Sequence, residues 1–65
     1  NNNEDVIISD NVWIGAEVTL LKGTFISKNS IVGYGSLVTR RYDKENVVIA
    51  GKPAGIIKEN VYWKR

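Results

Sequence analysis

Aliphatic residues recur along this chain at every sixth position, where Ile8, Ile14, Leu20, Ile26, Val32 and Val38 form an unbroken column. With 19 Ile, Leu and Val among 65 residues, six successive matches in one of six registers would arise by chance about 0.4% of the time, which identifies a hexapeptide repeat. A second column lies four residues after each of the first five, at Val12, Val18, Thr24, Ser30 and Ser36, and it holds only small or β-branched residues. An α-helix turns by about 600° over six residues and would carry the first column around its surface. A continuous strand would keep that column on one face, yet it would not need Gly15, Gly23, Gly33 and Gly35. The spacing therefore predicts short strands separated by bends, with one aliphatic side chain per hexapeptide pointed at a common axis. Asn11 and Asn29 suit such bends because Asn tolerates left-handed backbone angles. The competing reading is a small antiparallel sheet domain with coincidental spacing.

Stacked coils of short parallel strands make a β-solenoid, each coil burying its inner face on its neighbours. Three hexapeptides complete one triangular coil, so the period predicts coils at residues 8–25 and 26–43. Residues 1–7 then form the stub of a preceding coil, and 44–65 form a closing strand and tail within the same single unit. The closing strand is expected at Val47 to Ala50, ended by Pro53, which cannot donate a ladder hydrogen bond. Residues 55–65 read equally as a strand or a short helix. About three repeats are needed before such a stack is stable alone, so more coils upstream or neighbouring subunits are expected.

Composition narrows the chemistry. With no cysteine, neither a disulfide nor a thiolate metal site is available. With no histidine, the commonest general base at neutral pH is missing. With no methionine, the chain is expected to be a piece of something longer. No apolar run approaches a membrane span of about 18 residues and no signal-peptide pattern opens the chain, which points to a cytoplasmic protein. The net charge of +2 is too small to imply nucleic acid, but Arg40, Arg41, Lys44, Lys52, Lys58, Lys64 and Arg65 all fall in the second half.

Three stretches resemble a known family. The run from Asp10 to Ala16, DNVWIGA, is similar to a signature of the hexapeptide-repeat acyltransferases. The run from Val32 to Arg40, VGYGSLVTR, resembles that family's IGAGSVVTK segment, and Val48 to Ala54, VIAGKPA, resembles its closing VVAGNPA. The nearest likeness is to the C-terminal end of the galactoside, maltose and capsular-sugar O-acetyltransferases. It implies an all-β, left-handed parallel β-helix of about two coils plus a C-terminal strand and tail, assembled as a homotrimer. Handedness comes from the resemblance alone, because physical rules favour right-handed crossovers between parallel strands. The resemblance further implies acetyl transfer from acetyl-CoA to a hydroxyl or amine, with a sugar or polysaccharide precursor as the expected acceptor, at grooves between subunits. A histidine on an earlier coil serves that family as general base, so this piece is expected to be inactive alone.

Carried over residue by residue, the resemblance assigns seven cofactor-binding positions. Trp13 forms a wall of the groove, or packs in a subunit interface where Trp is favoured anyway. Ala16 and Tyr34 match positions that pass beside the pantetheine and offer it backbone groups, although Tyr34 stands where Ala or Ser is usual. Thr39 and Arg40 match a Thr-Lys pair at the pantetheine and phosphate end of CoA, where a guanidinium suits phosphate oxygens. Lys58 would neutralise the 3′-phosphate, and Lys52 would substitute for a basic residue missing at Gly55. No catalytic residue and no metal ligand is assigned. The loop Arg41 to Asn46 lacks the family's usual prolines and is one residue longer. The alternative function is a non-catalytic β-helix module that trimerises a larger protein; AGKPA and Trp13 favour the transferase.

Overall fold

The computed structural model describes residues 5–63. Residues 1–4 and 64–65, which hold most of the expected stub and the last two basic residues, lie outside the described residues. Nine strands follow one another: β1 (Ile7–Ile8), β2 (Trp13–Ile14), β3 (Thr19–Leu20), β4 (Phe25–Ile26), β5 (Ile31–Val32), β6 (Leu37–Val38), β7 (Arg41–Tyr42), β8 (Val48–Gly51) and β9 (Ala54–Lys58). They form three sheets, in the orders β1-β4-β7, β2-β5-β8-β9 and β3-β6. All pairings are parallel except β8 with β9. A sheet on each of three sides, with the chain passing from one to the next, is a left-handed parallel β-helix.

The period of six sets this register. Ile7 pairs with Phe25, Trp13 with Ile31, and Thr19 with Leu37, each a separation of three hexapeptides. Successive strand residues point to opposite faces, so the columns Ile8–Ile26–Tyr42, Ile14–Val32–Ile49 and Leu20–Val38 face the axis. Ile26, Val32, Val38, Val47 and Ile49 are fully buried, with Tyr42 and Ala54 beside them, and Val12, Ile14, Val18 and Leu20 pack against that cluster. The second column turns inward too. Thr24, Ser30 and Ser36 are buried, and their hydroxyls donate back to carbonyls of Leu21, Lys28 and Gly33. A buried hydroxyl is tolerated only when so bonded.

The bends obey the same period. The second residue of each two-residue turn has a positive φ: Asn11 (55°), Glu17 (59°), Gly23 (81°), Asn29 (61°) and Gly35 (69°). Four of the five are Asn or Gly, the residues that bear this conformation at least cost. Glu17 is the exception, and its exposed side chain gains nothing visible in return. Glu17→Gly should therefore stabilise the protein by about 1 kcal/mol, read as a higher urea midpoint at unchanged m-value; a lower midpoint would refute it.

The regular period ends after β6. Four residues, 21–24, separate β3 from β4, whereas only Thr39 and Arg40 separate β6 from β7. Tyr42 therefore reaches the axis two residues before the period would bring Lys44 there, and Arg41–Tyr42, expected in a loop, form a strand on Phe25–Ile26. The next corner, 43–47, is one residue longer than 27–30, so β8 occupies Val48–Gly51 and not Val47–Ala50. The phenol of Tyr42 is buried and donates a 2.6 Å hydrogen bond to the Ala54 carbonyl. An aromatic that fills the tapering end of the core, with its polar tip bonded, explains why the chain leaves its period here. Of the ambiguous tail, the part up to Lys58 is strand, where β9 turns back and pairs antiparallel with β8, and 59–63 are neither strand nor helix.

Candidate functional site

The predicted cofactor-binding residues occupy the outer surface at two corners and one side. Trp13 projects from β2, above which stand Ile31 and Val48, and its side chain is 58% exposed. The chain then reaches the corner made by the turn at Ala16–Glu17. The Tyr34–Gly35 turn stacks on it directly, with the Gly35 amide donating to the Ala16 carbonyl at 2.9 Å. Gly15 makes the stack possible, because a Cβ there would lie 3.0 Å from the Tyr34 nitrogen and 3.2 Å from its Cα and from the Val32 oxygen. Tyr34 stands at the apex of its turn, 72% exposed. The β8–β9 turn, which carries Lys52, is the third layer of the same corner, since Gly51 follows Ala50 as Tyr34 follows Gly33.

Thr39 and Arg40 lie at the next corner, beyond the β3–β6 side. Both are exposed, and the Arg40 guanidinium lies 5.9 Å from the centroid of the Tyr42 ring, a cation–π contact that holds its stem against the solenoid. Lys58 ends β9, opposite Val48, and is exposed above the same side that bears Trp13. One chain thus brings together Ala16, Tyr34 and Lys52, with Trp13 and Lys58 on the adjoining side. Thr39 and Arg40 are carried to a different corner.

Two cationic residues of these corners were missed by the sequence reading. Lys22 occupies the corner below Arg40, because the β3–β6 pairing stacks Leu20 on Val38; a separation of 18 from Arg40 was the available signal. Arg41 projects outward from β7, 4.7 Å from the centroid of the Phe25 ring and 3.8 Å from the Asp43 carboxylate. That contact required the shortened corner, which no period reveals. Among the described residues no group of three His, Cys, Asp or Glu side chains could hold a metal, and no helix is long and apolar enough to cross a membrane.

The chain is similar to known proteins in sequence and in fold. No family model matches the chain. The galactoside O-acetyltransferase of Lactococcus lactis is 51% identical over 51 residues, which are 78% of this chain and 24% of that protein. The solved structure of the polysialic acid O-acetyltransferase OatWY superposes with a TM-score of 0.89 at 47% identity, covering 95% of this chain and 29% of that one. The polysialic-acid-specific acetyltransferase NeuO gives the same TM-score at 44% identity, covering 95% of this chain and 26% of that one. The chain therefore spans about a quarter of the length of the relatives it matches.

Proposed function

Because the chain belongs to the hexapeptide-repeat acyltransferases, we propose that it is the C-terminal part of an acetyl-CoA-dependent O-acetyltransferase. The acceptor is a hydroxyl of a sugar or polysaccharide precursor, and the enzyme works in the cytoplasm as a homotrimer. The observation that carries this reading is the separation of the seven residues. Trp13, Ala16, Tyr34, Lys52 and Lys58 lie on one side and its corner, and Thr39 and Arg40 on the next corner. A groove that uses both sets is completed when one corner of a protomer faces the other corner of its neighbour. The extended CoA molecule suits such a groove better than a closed cavity.

In this groove the Trp13 ring forms an apolar wall. The stacked turns at Ala16 and Tyr34 present backbone groups to the pantetheine amides, and the Ala16 carbonyl keeps one lone pair beyond its bond to Gly35. Arg40 and Thr39 bind toward the phosphate end, and Lys52 and Lys58 add positive charge there. In the reaction a base removes the proton of the acceptor hydroxyl, and its oxygen attacks the thioester carbonyl. The C–S bond then breaks and CoA leaves as the thiol, its sulfur taking up the proton that the base removed. With no histidine among the 65 residues, the segment alone has no such base and is expected to be inactive.

Titration of the intact protein with CoA tests the assignment. Arg40→Ala and Lys58→Ala should each weaken binding about tenfold, the effect of losing one charged hydrogen-bond partner. Both losses should shrink as salt is raised. Unchanged affinity in both variants would overturn the roles given to Arg40 and Lys58; absence of CoA binding by the wild type would leave only a β-helix that assembles a larger protein.

A further inference from the structure

The asparagines of one corner form a column. Asn11, Asn29 and Asn46 occupy the corner between the β1-β4-β7 side and the β2-β5-β8-β9 side, all with φ near +60°. The Asn11 Nδ2 donates to the Asn29 Oδ1 at 2.8 Å, and the Asn46 amide donates to the Lys28 carbonyl at 3.3 Å. Asn46 sits in the 43–47 corner, the one that is a residue too long. An over-long corner leaves peptide groups out of register with the coil below, and these must find partners elsewhere.

The segment after β9 supplies them. The Val61 amide donates to the Asn46 carbonyl at 2.8 Å, and the Asn46 Nδ2 donates back to the Val61 carbonyl at 2.8 Å. The Trp63 Nε1 donates to the Asn29 carbonyl at 3.1 Å, reaching past Asn46 to the coil below. At the base of the segment, Lys44 and Glu59 form an ion pair at 3.1 Å. Asn60 has the same left-handed backbone, φ 59°. Val61 and Trp63 turn toward the corner, partly buried, while Tyr62 between them is 80% exposed. Residues 59–63 have no ladder of their own, and their described polar contacts converge on this one corner.

We propose that residues 59–63 are a strap across the 43–47 corner, which opens and closes as a unit while the coils stay folded. Its latches are the reciprocal Asn46–Val61 pair and the Trp63–Asn29 bond. Few contacts and exposed backbone hydrogen bonds put a segment at the low end of local stability. The coils are held by continuous parallel ladders and a dry core, so the two parts should differ in protection. The strap adds the missing layer to the asparagine column without adding a coil.

Amide hydrogen exchange on the intact protein tests this. Trp63→Phe keeps the aromatic ring and removes the indole donor; Asn46→Gly keeps the left-handed backbone and removes the side-chain amide. Each should speed exchange at the Val61 amide, which is bonded to the Asn46 carbonyl, about fivefold. The Trp13, Thr19 and Gly33 amides, bonded to Ser30, Ser36 and Ile49 in the ladders, should keep wild-type rates. The proposal is overturned if the Val61 amide keeps its wild-type rate in both variants. It is equally overturned if the ladder amides speed up by the same factor, because the segment would then be an ordinary part of the coils.

Discussion

Gly15→Ala should destabilise the intact protein by about 2–3 kcal/mol, a large effect for one methyl group. The Cβ would meet three backbone atoms, of Val32 and Tyr34, at 3.0 to 3.2 Å. Backbone cannot rotate away as a side chain can. The Gly15 amide also donates to the Val32 carbonyl at 2.8 Å, so relieving the clash would lengthen that bond and tilt the Tyr34 turn off the Ala16 turn. Gly35→Ala is the informative comparison. Its Cβ would meet nothing within 4 Å, but its φ is +69°, so its cost is confined to backbone strain of about 1–2 kcal/mol. Urea denaturation of both variants decides between the two causes. Equal losses would show that close approach at Gly15 is unimportant. A larger loss at Gly15 would show that the Ala16–Tyr34 corner depends on bare backbone contact.

Ile26→Ala should cost about 3–4 kcal/mol, near the upper end for removing a buried aliphatic side chain. Ile26 is fully buried and stands between Ile8 and Tyr42 in its column. The cost of such a truncation depends on how far the surroundings collapse into the space. Here they can collapse little, because β4 is hydrogen-bonded on one edge to β1 and on the other to β7. Ladder spacing holds the coils apart at about 4.8 Å whatever lies between them. Lys28→Ala, in the exposed turn two residues on, should change stability by less than about 0.5 kcal/mol. A loss at Ile26 below about 1.5 kcal/mol would mean that the coils close over the gap after all.

Neither expectation needs the acetyltransferase reading, whereas the CoA titration does. The three sets of measurements therefore separate a failure of the fold description from a failure of the functional one.

The six-residue period, read without coordinates, determined the solenoid. It set the pairing of β1, β2 and β3 with residues eighteen further on, the inward columns and the left-handed bends at Asn11 and Asn29, because each depends only on local geometry repeated at constant length. The motifs around Trp13, Tyr34 and Pro53 also placed the chain in its family. Tertiary structure decided what a period cannot carry. Tyr42 enters the core two residues early because its ring fills the end of the axis and its hydroxyl finds the Ala54 carbonyl. The tail became β9 and a strap because the open edge of β8 and the over-long corner at Asn46 both offered unpaired backbone groups. Trp63 and Val61 turn onto the chain's own corner. Local repetition is legible one residue at a time; the closure of an edge depends on partners far apart in the chain, and only the folded molecule brings them together.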